Sequence, residues 1–301
     1  KIHGKEKMPK DQRFLLVQNH ASKFDPMVVN GNTARFLMGN IFDFDPKTDY
    51  VQYDELKLID KFALHKLNKL VVDVTEAFEH YEFYKYFQCL QNFAAVDLSS
   101  FYLDIVKDRL YTAGKKSLSR RACQTVLYEI LHTLVRILAP VMPHQAEDIW
   151  LNMPEMHKNG IISVLLTNWP KVHDSWTNEL LENDFSKILK VREVVTRAIE
   201  PLRADKKVGS SLEVAVYVKS PEPKVLENNA KDLCDIFITS QAYVTESRPD
   251  NVLNEYIEDG YTVWVTKAEG EKCERCWKYR PLGEHEGYET ICSECFEAIN
   301  E

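Results

Sequence analysis

The chain has 301 residues, 45% of them apolar and 11% aromatic, enough to bury a core in about two domains and too apolar for a disordered chain. No stretch approaches the roughly 20 apolar residues of a membrane span. The charged start KIHGKEKMPKDQ leads into no secretion-signal pattern, so we expect a cytoplasmic, monomeric protein with no membrane contact. The formal net charge of −8 argues against binding nucleic acid with the whole surface, and makes local clusters of basic residues the informative feature.

In chain order, Leu56, Ile59, Ala63, Leu67, Leu70, Val74, Ala77 and Tyr81 recur at helical spacing and predict one long amphipathic helix over 52–81. Phe83, Phe87, Leu90 and Phe93, then Leu98, Phe101, Tyr102 and Ile105, continue as further helical stripes. A polar turn around Gly114 separates them from a helix whose inner face carries Ala122, Val126, Ile130, Leu134 and Ile137. Pro140 and Pro143 end that helix, and Pro143 can open a short one through Trp150. Residues 154–177 read as a connecting loop. A last long helix, 178–206, buries Leu181, Phe185, Ile188, Val195 and Leu202, with Pro201 expected to kink or end it.

The period then changes to two. Leu212, Val214, Val216 and Val218 alternate as in a half-buried strand. A helix around 222–237 and strands near 241–246 and 261–267 complete a small mixed unit. The predicted fold class is therefore mainly α: a helical bundle, a small α+β domain, and a terminal cysteine module.

That module reads KCERCWKYRPLGEHEGYETICSECFEAIN. Cys273 and Cys276 form one CxxC pair, Cys292 and Cys295 the other, with fifteen residues between the pairs. Two such knuckles aim four thiolates at one point, the ligand set of a closed, structural zinc site of the zinc-ribbon type. Iron in the same cage and two disulfides are the alternatives, the second disfavoured in a reducing compartment. Cys89, Cys123 and Cys234 are isolated and expected as small buried hydrophobes. His285 is expected to be solvated in the loop between the knuckles.

Basic residues concentrate in two stretches. From Lys107 to Arg121 six face a single acid, and from Lys187 to Lys207 seven face three. In the first, Lys115, Lys116, Arg120 and Arg121 lie between two helices and could reach phosphates, or could simply populate a solvated loop, with Arg121 also readable as a bundle arginine. Around the first knuckle Arg275, Trp277, Lys278 and Arg280 interleave charge with an aromatic ring. This suits phosphate contact plus base stacking. The alternative is that Trp277 covers the metal in a module too small for much core. His144, after Pro143, reads as a helix-start packing residue rather than a chemical one.

The segments NTARFLMGNIFDFDP (32–46), VDLSSFYLDIVKDRLYT (96–112), RRACQTVLYEILHTLVRILAPVMPHQAEDIW (120–150), KVGSSLEVAVYV (207–218) and the terminal CERCW…CSEC resemble, in order, the C-terminal part of bacterial-type isoleucyl-tRNA synthetases. The resemblance implies a helical anticodon-binding domain over 31–177, a junction domain over 178–269 and a zinc module over 270–301, together gripping the anticodon side of an isoleucine-accepting tRNA. HIGH, KMSKS and Gly-rich phosphate-loop motifs are missing from this sequence. The resemblance therefore implies that ATP use, aminoacylation and editing belong to a full-length enzyme and not to this piece. A free-standing zinc-ribbon adaptor is the competing reading.

The first thirty residues fit differently. RFLLVQNHASKFDP resembles the opening of a glycerolipid acyltransferase. There an H-x4-D pair, here His20 and Asp25, supplies a general base and the group that orients it. Without the remainder of such an enzyme, this segment is expected to be an inert remnant joined near Val29–Gly31.

Overall fold

The structure is a computed structural model that describes residues 26–283 and 285–301. His20 and Asp25, and with them the acyltransferase-like reading, lie outside the described residues. The first described element, α1 (Pro26–Asn40), runs as one helix through positions 30 and 31, where the resemblance changes.

The predicted long helix forms as α2 (Leu58–Glu79), and it buries Ile59, Phe62, Leu67, Leu70, Val74 and Ala77. Tyr81 leaves the stripe: it takes a left-handed φ of 58° just past the helix end, and its ring stands in solvent. After α3 (Phe83–Asn92), residues 93–102 continue as a wide-turned π-helix into α4 (Leu103–Thr112). This turn geometry is rare over such a length. The next helix, α5 (Leu118–Leu138), starts where the Ser117 side chain accepts a hydrogen bond from the Arg120 backbone N–H. It crosses the middle of the bundle, with sixteen of its residues buried. Pro143 opens α6 (Pro143–Asn152) as expected. The connecting loop holds one short turn of helix, α7 (Glu155–Lys158), and two 3-10 turns.

The bundle is held from within by a buried ion pair. Arg109 on α4 donates to both carboxylate oxygens of Asp60 on α2, at 3.0 and 2.7 Å, and the Tyr102 hydroxyl donates to the same group at 2.7 Å. Arg109 thus belongs to the core, although the sequence places it in a basic run. Burial pushes the Cys123 thiol up, and Cys123 is fully buried as expected. Cys89 and Cys234 are only half-buried.

The second long helix, α8 (Glu179–Ala204), is capped by Asn178, whose side chain accepts from the Leu181 N–H at 3.0 Å. Pro201 does not break it. The helix ends one turn later, after Ala204. The N-terminal part of α8 packs on α2 and its C-terminal part on the sheet, so one rod joins bundle and α+β unit.

The sheet begins with β1 (Val214–Lys219). The predicted helix over 222–237 is two, α9 (Pro223–Asn228) and α10 (Ala230–Phe237), separated at Asn229. They carry the chain over to β2 (Gln241–Val244), which pairs parallel with β1. Then β3 (Asn254–Glu258) turns through Asp259-Gly260, both with positive φ, into β4 (Tyr261–Lys267). The strand order is β2-β1-β4-β3. Because β1 is central and α8 and α10 cover the sheet, its alternation does not mean one wet face: Val214, Ala215, Val216 and Val218 are all buried. No helix among the described residues is long and apolar enough to cross a membrane.

Two outcomes follow from these cores. Replacing Arg109 with Met strands the Asp60 carboxylate, and urea unfolding should show a loss of about 3–5 kcal/mol. His132 on α5 is buried, and burial, aided by the nearby Arg136, depresses its pKa from 6.5 to about 3. The unfolded histidine takes a proton below its ordinary pKa while the folded one resists until about 3, so protons favour unfolding across that window. Stability should fall as the pH drops from about 6.5 toward 3, and His132→Phe should flatten that slope in a pH series of thermal melts.

Candidate nucleic-acid interface and metal centre

The cysteine module closes on the α+β unit and on the corner between α4 and α5. Its first knuckle sits between two short strands, β5 (Glu271–Lys272) and β6 (Tyr279–Arg280). The turn is closed by the Trp277 N–H donating to the Cys273 carbonyl at 2.9 Å and the Cys273 N–H donating to the Lys278 carbonyl at 3.0 Å. Trp277 is held at φ 64° at its end. Gly270 is obligatory beside it: with φ 92°, an added Cβ would come within 2.7 Å of the Arg280 backbone. The second knuckle opens α11 (Ser293–Asn300), with Cys292 at the N-cap.

The four sulfurs lie within 4.8 Å of one another, and Cys276 Sγ and Cys292 Sγ are 3.9 Å apart. A tetrahedron with metal–sulfur distances of about 2.3 Å has edges of about 3.8 Å, so the donor set fits a thiolate-bound metal. The Cys292 N–H approaches Cys273 Sγ at 3.4 Å. Burial alone would raise the Cys273 thiol, but backbone N–H groups at Cys276, Cys292 and Arg275 pull it down to about 6. Leu282 and Ile291 cover the sulfurs. All four ligand positions are filled by protein, so the group this site can hold is structural. His285 stacks on Phe296 at 3.8 Å rather than standing free in solvent.

The basic residues separate into two classes. Arg120 is buried and clamps Asp43 with two hydrogen bonds, of 2.8 and 3.0 Å. Arg121 reaches Asp49 at 3.3 Å and the Asp43 carbonyl at 3.1 Å. Both tie α5 to the loop after α1, which corrects the expectation that they face phosphate: Arg120 has each of its nitrogens on a carboxylate or carbonyl, and Arg121 is mostly buried against Asp43 and Asp49. Lys278 is corrected in the same way. It is 5% exposed, with its Nζ 2.7 Å from Asp108 on α4 and 2.8 Å from Asp235 on α10. Burial alone would depress its pKa, but these two carboxylates raise it. Arg280 pairs with Glu294, and Arg275 donates to the Thr112 carbonyl while its residue stays partly exposed.

Lys115 and Lys116 are exposed in the α4–α5 turn and pair with no acid among the described residues. Trp277 is 61% exposed, with the Lys272 ammonium 5.5 Å from its ring centre. It does not cover the sulfurs, which Leu282 and Ile291 do. Instead it edges a largely apolar cleft of about 500 Å³ between α4, α10 and the knuckle, whose walls include Lys107, Tyr111, Leu212, Ile238 and Arg275. Tyr111 is also exposed, and inspection of the sequence alone missed it. Its signal was its place inside the basic stretch 107–121. The second basic stretch is largely neutralised: Lys187 pairs with Glu222, Arg197 with Glu258 and Arg203 with Glu200. His144 is exposed at the start of α6.

If the knuckles hold a metal, Cys276→Ser should release it, and chelation should loosen residues 270–301 while far-UV circular dichroism keeps most of its helical signal. Elemental analysis of protein purified without chelator checks the first point, and spectra before and after chelation check the second.

The chain matches the family model described as the anticodon-binding domain of tRNA ligase over residues 60–218, from the first turn of α2 into β1. It is 42% identical over 275 residues to the isoleucine–tRNA ligase of Caldanaerobacter subterraneus subsp. tengcongensis, covering 90% of this chain and 29% of that protein. It is 41% identical to the isoleucine–tRNA ligase of Gloeobacter violaceus (89% of this chain, 27% of that protein) and 41% identical to that of Crocosphaera subtropica (89% and 29%). The chain thus spans less than a third of the length of these curated relatives. These similarities give the acyltransferase-like reading of residues 1–30 no support. With its helical core and β1 inside the matched region, the chain belongs to the family of tRNA-ligase anticodon-binding domains.

Proposed function

We propose that this chain is the tRNA-binding part of an isoleucine–tRNA ligase, that it grips the anticodon side of an isoleucine-accepting tRNA, and that one structural zinc holds its terminal module. On this reading the helical bundle is the anticodon-binding domain, the unit from α8 to β4 is the junction, and residues 270–301 are the zinc module. Activation of isoleucine with ATP and transfer to tRNA belong to the longer relatives.

One observation carries the proposal. The cleft between α4 and the knuckle brings two exposed aromatic rings, Tyr111 and Trp277, to an apolar lining with Lys107 and Arg275 at its edge. The unpaired Lys115 and Lys116 stand on the adjoining turn. Exposed rings beside unpaired cations suit single-stranded nucleotides: the bases stack while the ammonium groups displace counterions from phosphate. An anticodon loop presents such unpaired bases. The net charge of −8 is compatible with this, because the acids lining the cleft are matched by cations: Asp104 pairs with Lys107, and Asp108 and Asp235 with Lys278. Zinc is the natural occupant of four thiolates at tetrahedral spacing.

Binding to isoleucine tRNA should weaken as salt rises. Lys115→Ala or Lys116→Ala should each lower the salt slope by about one, and Trp277→Ala should cost about 1–3 kcal/mol. Filter binding or fluorescence anisotropy across a salt series reads all three. Affinity independent of salt, or equal affinity for every tRNA species, would overturn the proposal. Chelation and reconstitution with zinc, cobalt and iron, followed by elemental analysis, tests the metal.

A further inference from the structure

Helices α4 and α10 belong to different units, yet they pack on each other with carboxylates along the seam: Asp104 and Asp108 from α4, Asp232 and Asp235 from α10. Left to themselves these groups would repel and open the seam. Cations from three other elements lie among them. Arg192 of α8 stands 3.6 Å from Asp104 while its Nε donates to the Ile236 carbonyl at 2.9 Å. Lys57, just before α2, pairs with Asp232 at 3.0 Å. Lys278 alone joins a carboxylate of each helix directly, at 2.7 and 2.8 Å, and it is the most buried of the three.

Lys278 is also the cation whose position depends on the metal module. It follows Cys276 by two residues, and its carbonyl closes the knuckle turn by accepting from Cys273. The neighbouring Trp277 needs a left-handed φ, a conformation with a steric cost that the closed turn sustains. A second anchor, the Tyr279 N–H donating to Ser240 Oγ at 2.7 Å, ties the next residue to the α+β unit. Two backbone hydrogen bonds and the two-residue β5–β6 pairing close the turn, and a metal gathering the four sulfurs would add a link that ties it to the second knuckle through Cys276.

We infer that Lys278 is a positioning residue that couples metal occupancy to the α4–α10 seam, so that filling the four-cysteine site clamps the bundle and the α+β unit in one orientation. The inference rests on the reading of the cysteine cluster as a metal site. Its consequence for binding is direct, because the seam forms the floor of the cleft edged by Tyr111 and Trp277. Metal loss would then blunt binding by changing the cleft, although the metal touches no ligand. Asp108 would lose its cation and Asp235 would keep only Lys57, at 3.8 Å, and a partly shielded charge stripped of a partner is destabilising locally.

Hydrogen exchange followed by mass spectrometry on the full chain tests this, with metal content measured in the same samples. Chelation should speed exchange about tenfold or more in residues 103–112 and 230–237 as well as in 270–301, while α5 stays protected. Lys278→Met, still carrying its metal, should reproduce the change at 103–112 and 230–237 without that at the cysteines, and Lys278→Arg should largely restore wild-type rates. If Lys278→Met does not fold, Asp108→Asn removes one arm of the bridge and should speed exchange in 103–112. Bound metal whose removal alters only residues 270–301, or metal-loaded Lys278→Met or Asp108→Asn exchanging at the wild-type rate, overturns the inference alone. Protein that binds no metal at all overturns the underlying metal reading, and the inference with it.

Discussion

The arrangement depends on one electrostatic constraint. Two helices from separate units present acids to a shared seam, and the seam holds only where cations enter it. Asp235 is mostly removed from water, which by itself would favour its neutral form. Lys278, Lys57 and Arg109 reverse that and keep its carboxyl below the ordinary carboxylate range. Ion pairs of this kind are weak on a surface and consequential when shielded from solvent. Lys278 lies in the shielded class, and the exposed pair Arg203–Glu200 in the weak one. This difference also decides which basic residues remain for a nucleic acid. Lys115 and Lys116, by contrast, pair with no acid among the described residues and stand exposed on the turn beside the Trp277 cleft.

The same principle explains how the chain can be acidic overall and still belong to a tRNA-binding family. Net charge sets the long-range field, but contact is local, and within a Debye length of about 8–10 Å only nearby charges count. Of the acids beyond Arg280, Glu294 is absorbed by Arg280. The small terminal module has little apolar core beyond Leu282 and Ile291. Its attachment therefore depends on the four-sulfur cluster and on hydrogen bonds to its neighbours, among them Gln241 Nε2 to the Tyr279 carbonyl at 3.1 Å.

Much of this was legible in the sequence, for identifiable reasons. Helical periodicity located α2, α5 and α8 because each buries one continuous stripe, and the two CxxC pairs marked the four cysteines whose sulfurs converge because that spacing has few other uses. The basic residues that the sequence placed on a surface had distant partners. Arg120 and Asp43 are 77 residues apart, and Lys278 and Asp108 lie in different units. Charge runs therefore looked like surfaces where the fold had made ion pairs. Strand β3 was missed because NEYIE is charged and pairs only at the sheet edge, although the Asp259-Gly260 turn that follows it is a recognisable hairpin signal. The split between α9 and α10 has no Pro or Gly to announce it. Cys89 and Cys234 showed that an isolated cysteine need not be buried.

The central claim, that this chain grips the anticodon side of a tRNA through the Tyr111–Trp277 cleft, is tested most directly by footprinting. Isoleucine tRNA would be probed with hydroxyl radicals alone and in complex with the full chain, and with the Trp277→Ala protein. The account predicts protection confined to the anticodon arm, with the loop nucleotides losing theirs when Trp277 is replaced. Protection centred on the acceptor arm, or an anticodon footprint indifferent to Trp277, would contradict it.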